Sequence, residues 1–384
     1  MEEMVQRLRS RIDREQLVAA LADWVRLETP SHDLAASAEI AERLAADWAE
    51  AGAVRQEPGL AGTHLVIEIP AVGSTAEPVL LLGHSDTVWP VGTLAGAVPL
   101  EITDEVLRGP GSYDMKAGLV VMRTALRILA ELGLAHPPVR VLIAADEEVG
   151  SKEATPFVRE AAEGVAAVFG FESPHPDGAL KVGRLGSTRV RLSVVGREAH
   201  AALDPDKGIS AIDELVDQLL VLRERLAAVQ ARRPGEILVN VGAISGGGRT
   251  NVVPGRAEAL IGFRFATADA EAEVLAELQG LTAVRPGAEL VVEVLSARPA
   301  WQARPGDQAL LAQVAAAAAG VGLEVAGRPA AGAADTNTTG SLGVPTLDGF
   351  GPRGAGAHAV NEHIIIDSLV DRVVLLAAAL VALA

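Results

Sequence analysis

The sequence contains no cysteine. Disulfide bridges and thiolate metal ligands are therefore excluded, and a zinc-like ion has to be held by histidine and carboxylate side chains. Such a set of donors is more typical of a catalytic metal site than of a structural one.

Positive charge is scarce in this chain. It has 33 Lys and Arg against 50 Asp and Glu, a net charge of −17 at pH 7. A protein that binds a polyanion needs a basic face that releases counter-ions. We therefore expect neither nucleic acid nor a membrane as a partner, and an anionic substrate must be met by a few local arginines.

Long apolar runs are also missing. The apolar run at 373–384 is far shorter than the roughly 20 residues of a membrane helix, and we interpret it as a buried closing helix. The first residues lack the basic start and apolar core of a secretory signal, so we expect a cytoplasmic location.

The chain is long enough, at 384 residues and 49% hydrophobic, for a large core and two domains. Apolar runs that alternate with helical segments predict buried strands at 79–82, Val139–Ala144, 165–169 and 344–347. One such helix covers 116–132 and stops at Gly133. This order predicts an α/β fold whose mixed, mostly parallel sheet is flanked by helices on both faces.

The middle of the chain has a different pattern. A half-exposed strand at 188–195 is followed by a helix, two strands, a helix and a strand, which is the ferredoxin-like order βαββαβ. We predict an inserted lid or dimerisation domain at 184–297, and a catalytic metal-binding domain formed by 1–183 and 298–384.

Polar residues follow several predicted strands. His84 comes after the strand at 79–82, and Asp86 lies on the same side two residues later, where it could orient the ring. Asp114 opens a helix after the turn-rich segment 109–113. It could be an N-cap, or its two oxygens could bridge two cations.

Acidic residues end two further strands. Glu147 and Glu148 follow Val139–Ala144; they could lie in a solvated loop, or one could bind a metal while the other moves a proton. Glu172 closes an apolar strand, where a buried carboxylate needs a cation or an arginine. His358 lies in a loop of small residues that lets the backbone approach a site. Together these positions predict a two-metal hydrolase.

Five segments carry a family resemblance: GHSDTVWP, GPGSYDMKAG, ADEEVGS, FES and GAHAVNE. They resemble the successive motifs of the dinuclear metallopeptidase family that contains carboxypeptidase G, acetylornithine deacetylase and succinyl-diaminopimelate desuccinylase. The resemblance implies that Asp114 bridges two zinc ions, although cobalt or manganese also suit such ligands. His84 and Glu172 would complete one site, and Glu148 and His358 the other.

The resemblance also implies catalytic roles. Glu147 would be the general base and acid that deprotonates a water bridging the ions and then protonates the leaving amine, while Asp86 supports His84. His200 matches the family position that stabilises the tetrahedral oxyanion, contributed by the partner subunit of a homodimer formed through the inserted domain.

Three residues resemble the positions that hold a C-terminal glutamate in carboxypeptidase G relatives: Asn251, Arg264 and Arg298. A guanidinium suits a carboxylate because it donates two parallel hydrogen bonds, although each arginine alone could be a surface charge. The segment around Lys181 and Arg184 departs from that subgroup.

We therefore expect a zinc-dependent carboxypeptidase or amidohydrolase that releases a C-terminal amino acid, glutamate in the first place, from a small N-acyl or peptidyl substrate. One alternative is a biosynthetic N-acyl-amino-acid deacylase of the acetylornithine or succinyl-diaminopimelate type. Another is a non-catalytic metal-binding descendant, which retention of Glu147 argues against.

Overall fold

The computed structural model describes residues 2–384, and side chains from residue 6 onward. Contacts divide the chain into two compact units. The core unit comprises Met1–Gly183, Ala303–Ala330 and Ala334–Ala384, and the inserted unit comprises Arg184–Gln302 and Ala331–Ala333. We retain the predicted domains, 1–183 with 298–384 and 184–297, as a proposal.

The chain begins with three helices, after which strands and helices are interspersed. The α-helices are α1 (Glu2–Arg9), α2 (Arg14–Arg26), α3 (Leu34–Trp48), α4 (Ala117–Leu132), α5 (Ala154–Ala161), α6 (Ala211–Arg232), α7 (Ala268–Gln279), α8 (Pro305–Gly320), α9 (Thr336–Ser341) and α10 (Ile366–Ala382). The strands are β1 (Ala53–Pro58), β2 (Thr63–Ile69), β3 (Val79–His84), β4 (Glu101–Ile102), β5 (Val106–Arg108), β6 (Val139–Ala144), β7 (Ala167–Gly170), β8 (Leu180–Arg184), β9 (Gly186–Val195), β10 (Ala199–His200), β11 (Ile237–Gly246), β12 (Val252–Val253), β13 (Arg256–Phe265), β14 (Glu289–Arg298), β15 (Gly327–Ala330), β16 (Thr346–Leu347), β17 (Gly354–Ala355) and β18 (His363–Ile365).

The main sheet of the core unit has the order β1-β2-β6-β3-β7-β16. Strands β6, β3, β7 and β16 are parallel, and β1 and β2 add an antiparallel edge. The central strands β3 and β7 are apolar along nearly their whole length because both of their faces are buried. Leu81 packs into the larger core with α4 and α10, while its neighbours Leu80 and Leu82 pack on the other face with α5. The predicted fold class is confirmed.

Two local features differ from the sequence interpretation. The sequence pattern of the first 30 residues predicts one helix of mixed charge, but the structure has two, α1 and α2. Asp13 caps the second, its side chain accepting bonds from the backbone N–H of Glu15 and Gln16. Strands β1 and β2 were not predicted. Only β2 is largely buried, because β1 is the edge of the sheet and exposes most of its residues.

A smaller antiparallel sheet of the core unit has the order β17-β18-β5-β4. Its central pair joins two distant parts of the chain, with His363 of β18 opposite Arg108 of β5. The segment after β5 and the loop between β17 and β18 supply residues to the metal centre described below.

Apart from the short paired strands β10 and β12, the inserted unit has the element order β9-α6-β11-β13-α7-β14. Its antiparallel sheet has the strand order β11-β13-β9-β14, with one face covered by α6 and α7 around their own core. This is the ferredoxin-like βαββαβ arrangement that the sequence pattern predicted.

From residue 2 onward, none of the helices combines the length and the apolar character that crossing a membrane requires.

Glu214 of α6 anchors the segment after α7 in the inserted unit. Its carboxylate is buried and accepts bonds from the backbone N–H of Val284 and Arg285, both at 2.8 Å, and from the Gln218 side chain at 2.7 Å. Burial raises the pKa of Glu214, but these bonds outweigh it and leave the pKa below its ordinary value.

We expect Glu214→Ala to lower the free energy of unfolding by about 1–3 kcal/mol, because buried N–H groups lose their acceptor. Since the folded pKa is the lower one, the stabilisation is fully present above the unfolded pKa of about 4.3 and is lost as the pH falls through the folded pKa. Denaturant unfolding at pH 7 and pH 4 measures both effects. Glu224→Ala, an exposed position on the same helix, is the control, and equal stability of the two variants at pH 7 would contradict the role of Glu214.

Candidate metal centre

Three neighbouring parallel strands deliver acidic and imidazole side chains at their carboxyl ends. His84 is the last residue of β3, Glu147 and Glu148 follow β6, and Glu172 follows β7. The three strands are adjacent in the order β6-β3-β7. Because the carboxyl ends of parallel strands meet at one edge of a sheet, these side chains converge there.

The smaller sheet delivers Asp114 and His358. Asp114 follows β5, and His358 lies in the loop between β17 and β18. Antiparallel pairing of β5 with β18 places the end of one strand beside the start of the other. Two residues far apart in sequence are therefore brought to the same place.

The donor atoms lie close together. His84 Nε2 is 3.3 Å from Asp114 Oδ1 and 3.4 Å from Glu172 Oε1. His358 Nε2 is 3.2 Å from Asp114 Oδ2 and 3.0 Å from Glu148 Oε2. The two oxygens of Asp114 thus face different imidazoles.

Glu147 belongs to the same cluster. One of its carboxylate oxygens lies within 4.8 Å of donor atoms of both His84 and Glu172. The side chain is buried, with 7% of the residue exposed. Glu147 is therefore placed where it can exchange a proton with a molecule bound between the donors.

The cluster fits divalent cations on three grounds. Ligands about 2.0–2.2 Å from a tetrahedral ion lie about 3.3–3.6 Å apart, close to the spacing of these donors. His84 Nε2 and Glu148 Oε1 are buried and make no hydrogen bond. In the described part of the chain, the carboxylates of Asp114, Glu148 and Glu172 form ion pairs with imidazoles alone. A cation would satisfy these atoms and neutralise the surplus negative charge.

Protons compensate the same charge when no cation is bound. Burial lowers the pKa of His84, but its contacts with Asp114, Asp86 and Glu172 outweigh burial and raise the pKa well above its ordinary value. Contacts with Asp114 and Glu148 raise the pKa of His358 to about 10. Cation binding at neutral pH must therefore displace protons from the imidazoles.

Asp86 supports both the ring of His84 and the acidic loop. His84 Nδ1 lies 2.9 Å from the backbone oxygen of Asp86 and 3.5 Å from its Oδ1. The buried carboxylate also accepts bonds from the backbone N–H of Glu147 and Glu148, at 3.0 and 3.2 Å, and from Ser31 Oγ at 2.7 Å. Of these contacts of Asp86, the sequence predicted only the one with the His84 ring.

Asp146, the first of the three consecutive acids, has a different role. Its carboxylate accepts bonds from the backbone N–H of Glu153 and Ala154 at the start of α5, at 2.8 and 3.3 Å. Burial raises its pKa. Two of the three acids are thus left for the metal centre.

Glu362 is a functional residue that sequence reasoning did not assign. It is fully buried. Its Oε1 accepts bonds from the N–H of Tyr113 and Asp114, at 2.9 and 3.0 Å, and its Oε2 accepts from Gly111 N at 3.0 Å and Trp89 Nε1 at 2.6 Å. Glu362 thereby fixes the loop that carries Asp114. It ends the segment GAHAVNE, but nothing in that spacing indicates what it contacts.

His200 and Asn251 lie together in the inserted unit, where β10 pairs with β12. The exposed His200 accepts bonds at Nδ1 from the N–H of Ala202 and Leu203, at 3.2 and 3.1 Å. This tautomer leaves the proton on Nε2, where it can be donated. The backbone oxygen of Asn251 accepts from Ala201 N at 2.9 Å.

Arg264 and Arg298 lie on one face of the sheet of the inserted unit, because each is directly opposite Ser187 of β9. Arg189, two residues along β9, shares that face and was not predicted. Burial first, and then the charges of Arg298 and Arg189, lower the pKa of Arg264. Three guanidinium groups on one face favour an anionic ligand.

A mixed α/β sheet with histidine and carboxylate donors at its strand ends is the arrangement expected of a metal-dependent hydrolase. The sequence profile described as "Peptidase family M20/M25/M40" matches residues 80–382, and the chain belongs to this family. The resemblance seen in the sequence and the prediction of a metal-dependent hydrolase are thereby confirmed.

Similar proteins agree with this assignment. Carboxypeptidase G2 of Pseudomonas sp. (strain RS-16) is 28% identical over 380 residues, which cover 96% of this chain and 89% of that protein. Succinyl-diaminopimelate desuccinylase of Dechloromonas aromatica is 31% identical, with 77% and 81% covered. The crystal structure of aminopeptidase PepT from Bacillus cereus has a TM-score of 0.73 at 23% identity, covers 97% and 99% of the two chains, and shares the fold.

We expect His358→Ala to bind less divalent metal per chain, because one side of the cluster loses its imidazole. Elemental analysis after loading with zinc measures this loss. Zinc titration of metal-free protein at pH 7 should also release fewer protons from the variant than from the wild type, because the pKa of His358 lies well above 7. His32→Ala, an exposed histidine, is the control. Unchanged metal content in His358→Ala would contradict its place in the centre.

We expect Glu362→Gln to keep the fold but to weaken zinc binding about 10- to 100-fold, the usual effect of losing a residue that supports a ligand. The amide nitrogen would face N–H donors and loosen the loop of Asp114. Competition with a chelator measures the affinity, and Glu163→Gln, an exposed position, is the control. Equal affinities of the two variants would show that Glu362 does not position the loop.

Proposed function

We propose that this protein is a dinuclear zinc carboxypeptidase or amidohydrolase. It hydrolyses the amide bond of a small N-acyl or peptidyl substrate and releases the C-terminal amino acid, with glutamate preferred. The observation that carries the proposal is that each oxygen of Asp114 faces a different imidazole, as a carboxylate bridging two cations requires. His84 and Glu172 complete one zinc site, and Glu148 and His358 complete the other.

The bound cations would polarise the scissile carbonyl and lower the pKa of water toward about 7. Glu147 takes the proton of the attacking water and passes it to the leaving amine. Asp86 supports this step because its Oδ1 accepts a hydrogen bond from the backbone N–H of Glu147, at 3.0 Å, and so fixes the position of that residue. Nε2–H of His200, contributed by the partner subunit, donates to the oxyanion. The exposure of His200 and its tautomer suit this role.

Asn251, Arg264 and Arg298 hold the substrate carboxylate in this proposal. The arginines lie side by side across β9, and their mutual repulsion is relieved when an anion binds. A planar guanidinium pairs with both oxygens of a carboxylate. Asn251 adds an amide donor, and its backbone oxygen accepts a bond from Ala201 N, next to His200 in the sequence.

Homodimer formation through β11 and α6 completes the proposal. β11 is an edge strand of its sheet, and its residues after Ile237 are exposed. It presents several apolar side chains to solvent: Leu238, Val239, Val241 and Ile244. A groove of about 400 Å³ separates this strand from α6. An exposed apolar edge strand is suited to pairing with a second copy about a two-fold axis.

The cytoplasmic location stays a prediction.

A biosynthetic deacylase is the second candidate. It is favoured by relatives described as succinyl-diaminopimelate desuccinylases, one of which is 31% identical over 317 residues. The same arginines would then meet the carboxylate of a succinyl group. The two candidates share the metal centre and differ in the substrate that the inserted unit selects.

A substrate panel separates the two candidates. We expect release of glutamate from N-acyl-glutamates to be faster than cleavage of N-acyl-alanine, N-succinyl-diaminopimelate or N-acetylornithine. Arg264→Lys should lower kcat/KM for the preferred substrate about tenfold or more, because lysine cannot donate the paired bonds. Arg43→Lys, an exposed position on α3, is the control. Preference for either biosynthetic substrate would overturn the glutamate assignment and leave the hydrolase assignment standing.

Glu147→Ala is expected to retain its metal and its fold. Its kcat should fall about 10²–10⁴-fold, because a positioned proton-transfer group typically contributes a factor of that size to the rate. Metal analysis and circular dichroism accompany the kinetics. Near-normal turnover would show that the proton moves by another route. Loss of metal from the variant would make Glu147 a ligand instead of the base.

A further inference from the structure

A second cavity in the core unit lies along the N-terminal half of α10. Its volume is about 140 Å³, and its walls include Ser368, Arg372 and Leu375 of α10 together with Gly178 and Arg353. Among the described residues, none of the metal-centre donors lines it. We call it the α10 cavity.

Arg372 is buried in this cavity with little compensation. It is 5% exposed, and its Nη2 donates to the backbone oxygen of Gly178 at 2.7 Å. A guanidinium has five N–H donors. Within residues 6–384, no carboxylate forms an ion pair with Arg372. Burial, and then the charge of Arg353, lower the pKa of Arg372 to about 10.

Arg353 brings a second positive charge to the same space. A methyl group built on Gly178 would lie 3.3 Å from Arg353 Cδ and 3.6 Å from Arg372 Nη2, so the two side chains flank one small volume. The backbone N–H of Arg353 donates to Ser368 Oγ at 2.7 Å. Ser368 is buried, and its hydroxyl proton can point into the cavity.

The acidic residues of the wall are directed elsewhere. Asp177 forms a paired contact with Arg328, at 2.8 and 3.0 Å, and Asp371 pairs with Arg9 at 3.1 Å. Glu324 is exposed to solvent. None of these acids forms an ion pair with Arg353 or Arg372, and the charge of Asp371 offsets only part of the effect of burial and of Arg353 on the pKa of Arg372.

We propose that the α10 cavity binds a small oxyanion, a phosphate or a carboxylate, between Arg353 and Arg372, with the Ser368 hydroxyl as a further donor. Guanidinium groups pair with such oxygens through parallel hydrogen bonds. The volume is well below the roughly 300 Å³ at which pockets for drug-sized ligands begin, which favours a single small ion.

The bound anion would also stabilise the chain near the metal centre. Arg353 lies two residues after Gly351, whose N–H donates to the backbone oxygen of Glu172 at 3.0 Å. Gly354, the next residue, starts β17, which precedes the loop of His358. An ion held by Arg353 thus restrains a segment that lies between two residues of the centre.

Calorimetric titration of the metal-loaded protein tests the proposal, with inorganic phosphate in one series and acetate in another, at constant ionic strength. We expect saturable binding of at least one of the two ions. Binding should be about tenfold weaker or more in Arg353→Met, since bonds to charged groups contribute at least that much. Arg127→Met, a half-buried position on α4 that pairs with Glu131, should bind like the wild type.

Saturation by phosphate alone would assign a tetrahedral ion, and saturation by acetate alone a carboxylate. Arg372→Met should abolish binding if the variant folds. Because Arg353 is only half-buried, Arg353→Met is expected to fold, and it tests the proposal whether or not Arg372→Met folds. Absence of saturable binding by both ions overturns the proposal. Equal affinity of wild type and Arg353→Met overturns it too, because the ion would then bind elsewhere, such as at the metal centre.

Discussion

The site depends on one constraint, which is the close approach of several negatively charged carboxylates at the ends of the strands. The carboxylates of Asp114, Glu148 and Glu172 meet two imidazoles and, in the described part of the chain, no lysine or arginine. Like charges at this spacing repel strongly where water is partly excluded. Asp86 and Glu362 hold the surrounding loops by accepting backbone N–H bonds, so the donors are positioned while cations or protons supply the balancing charge.

Much of the fold was predictable from local pattern. Apolar runs between helical segments predicted the parallel strands, and half-exposed alternation predicted the ferredoxin-like unit. A general property of parallel sheets, that their carboxyl ends share an edge, then brought His84, Glu147 and Glu172 together. Asp114 and His358 were candidates from the sequence too, but only the resemblance implied which metal site each belongs to, because the β5–β18 pairing that joins them leaves no signal in sequence spacing.

Other parts of the site could not be predicted for physical reasons. Glu362, and Asp86 beyond its predicted contact with His84, accept hydrogen bonds from backbone N–H groups of distant segments, and sequence spacing does not indicate such partners. Asp146 looks like its neighbours in sequence, yet it caps α5. The row formed by Arg264 and Arg298 depends on strand register, which a bulge in β14 shifts.

Anomalous X-ray diffraction at the zinc absorption edge, on crystals of the zinc-loaded protein, tests the central claim most directly. The account predicts two peaks, one on each side of the Asp114 carboxylate, the first beside His84 and the second beside His358. A single peak, or a zinc ion bound by Glu147, would contradict the bridging role of Asp114 and the assignment of Glu147 as the base.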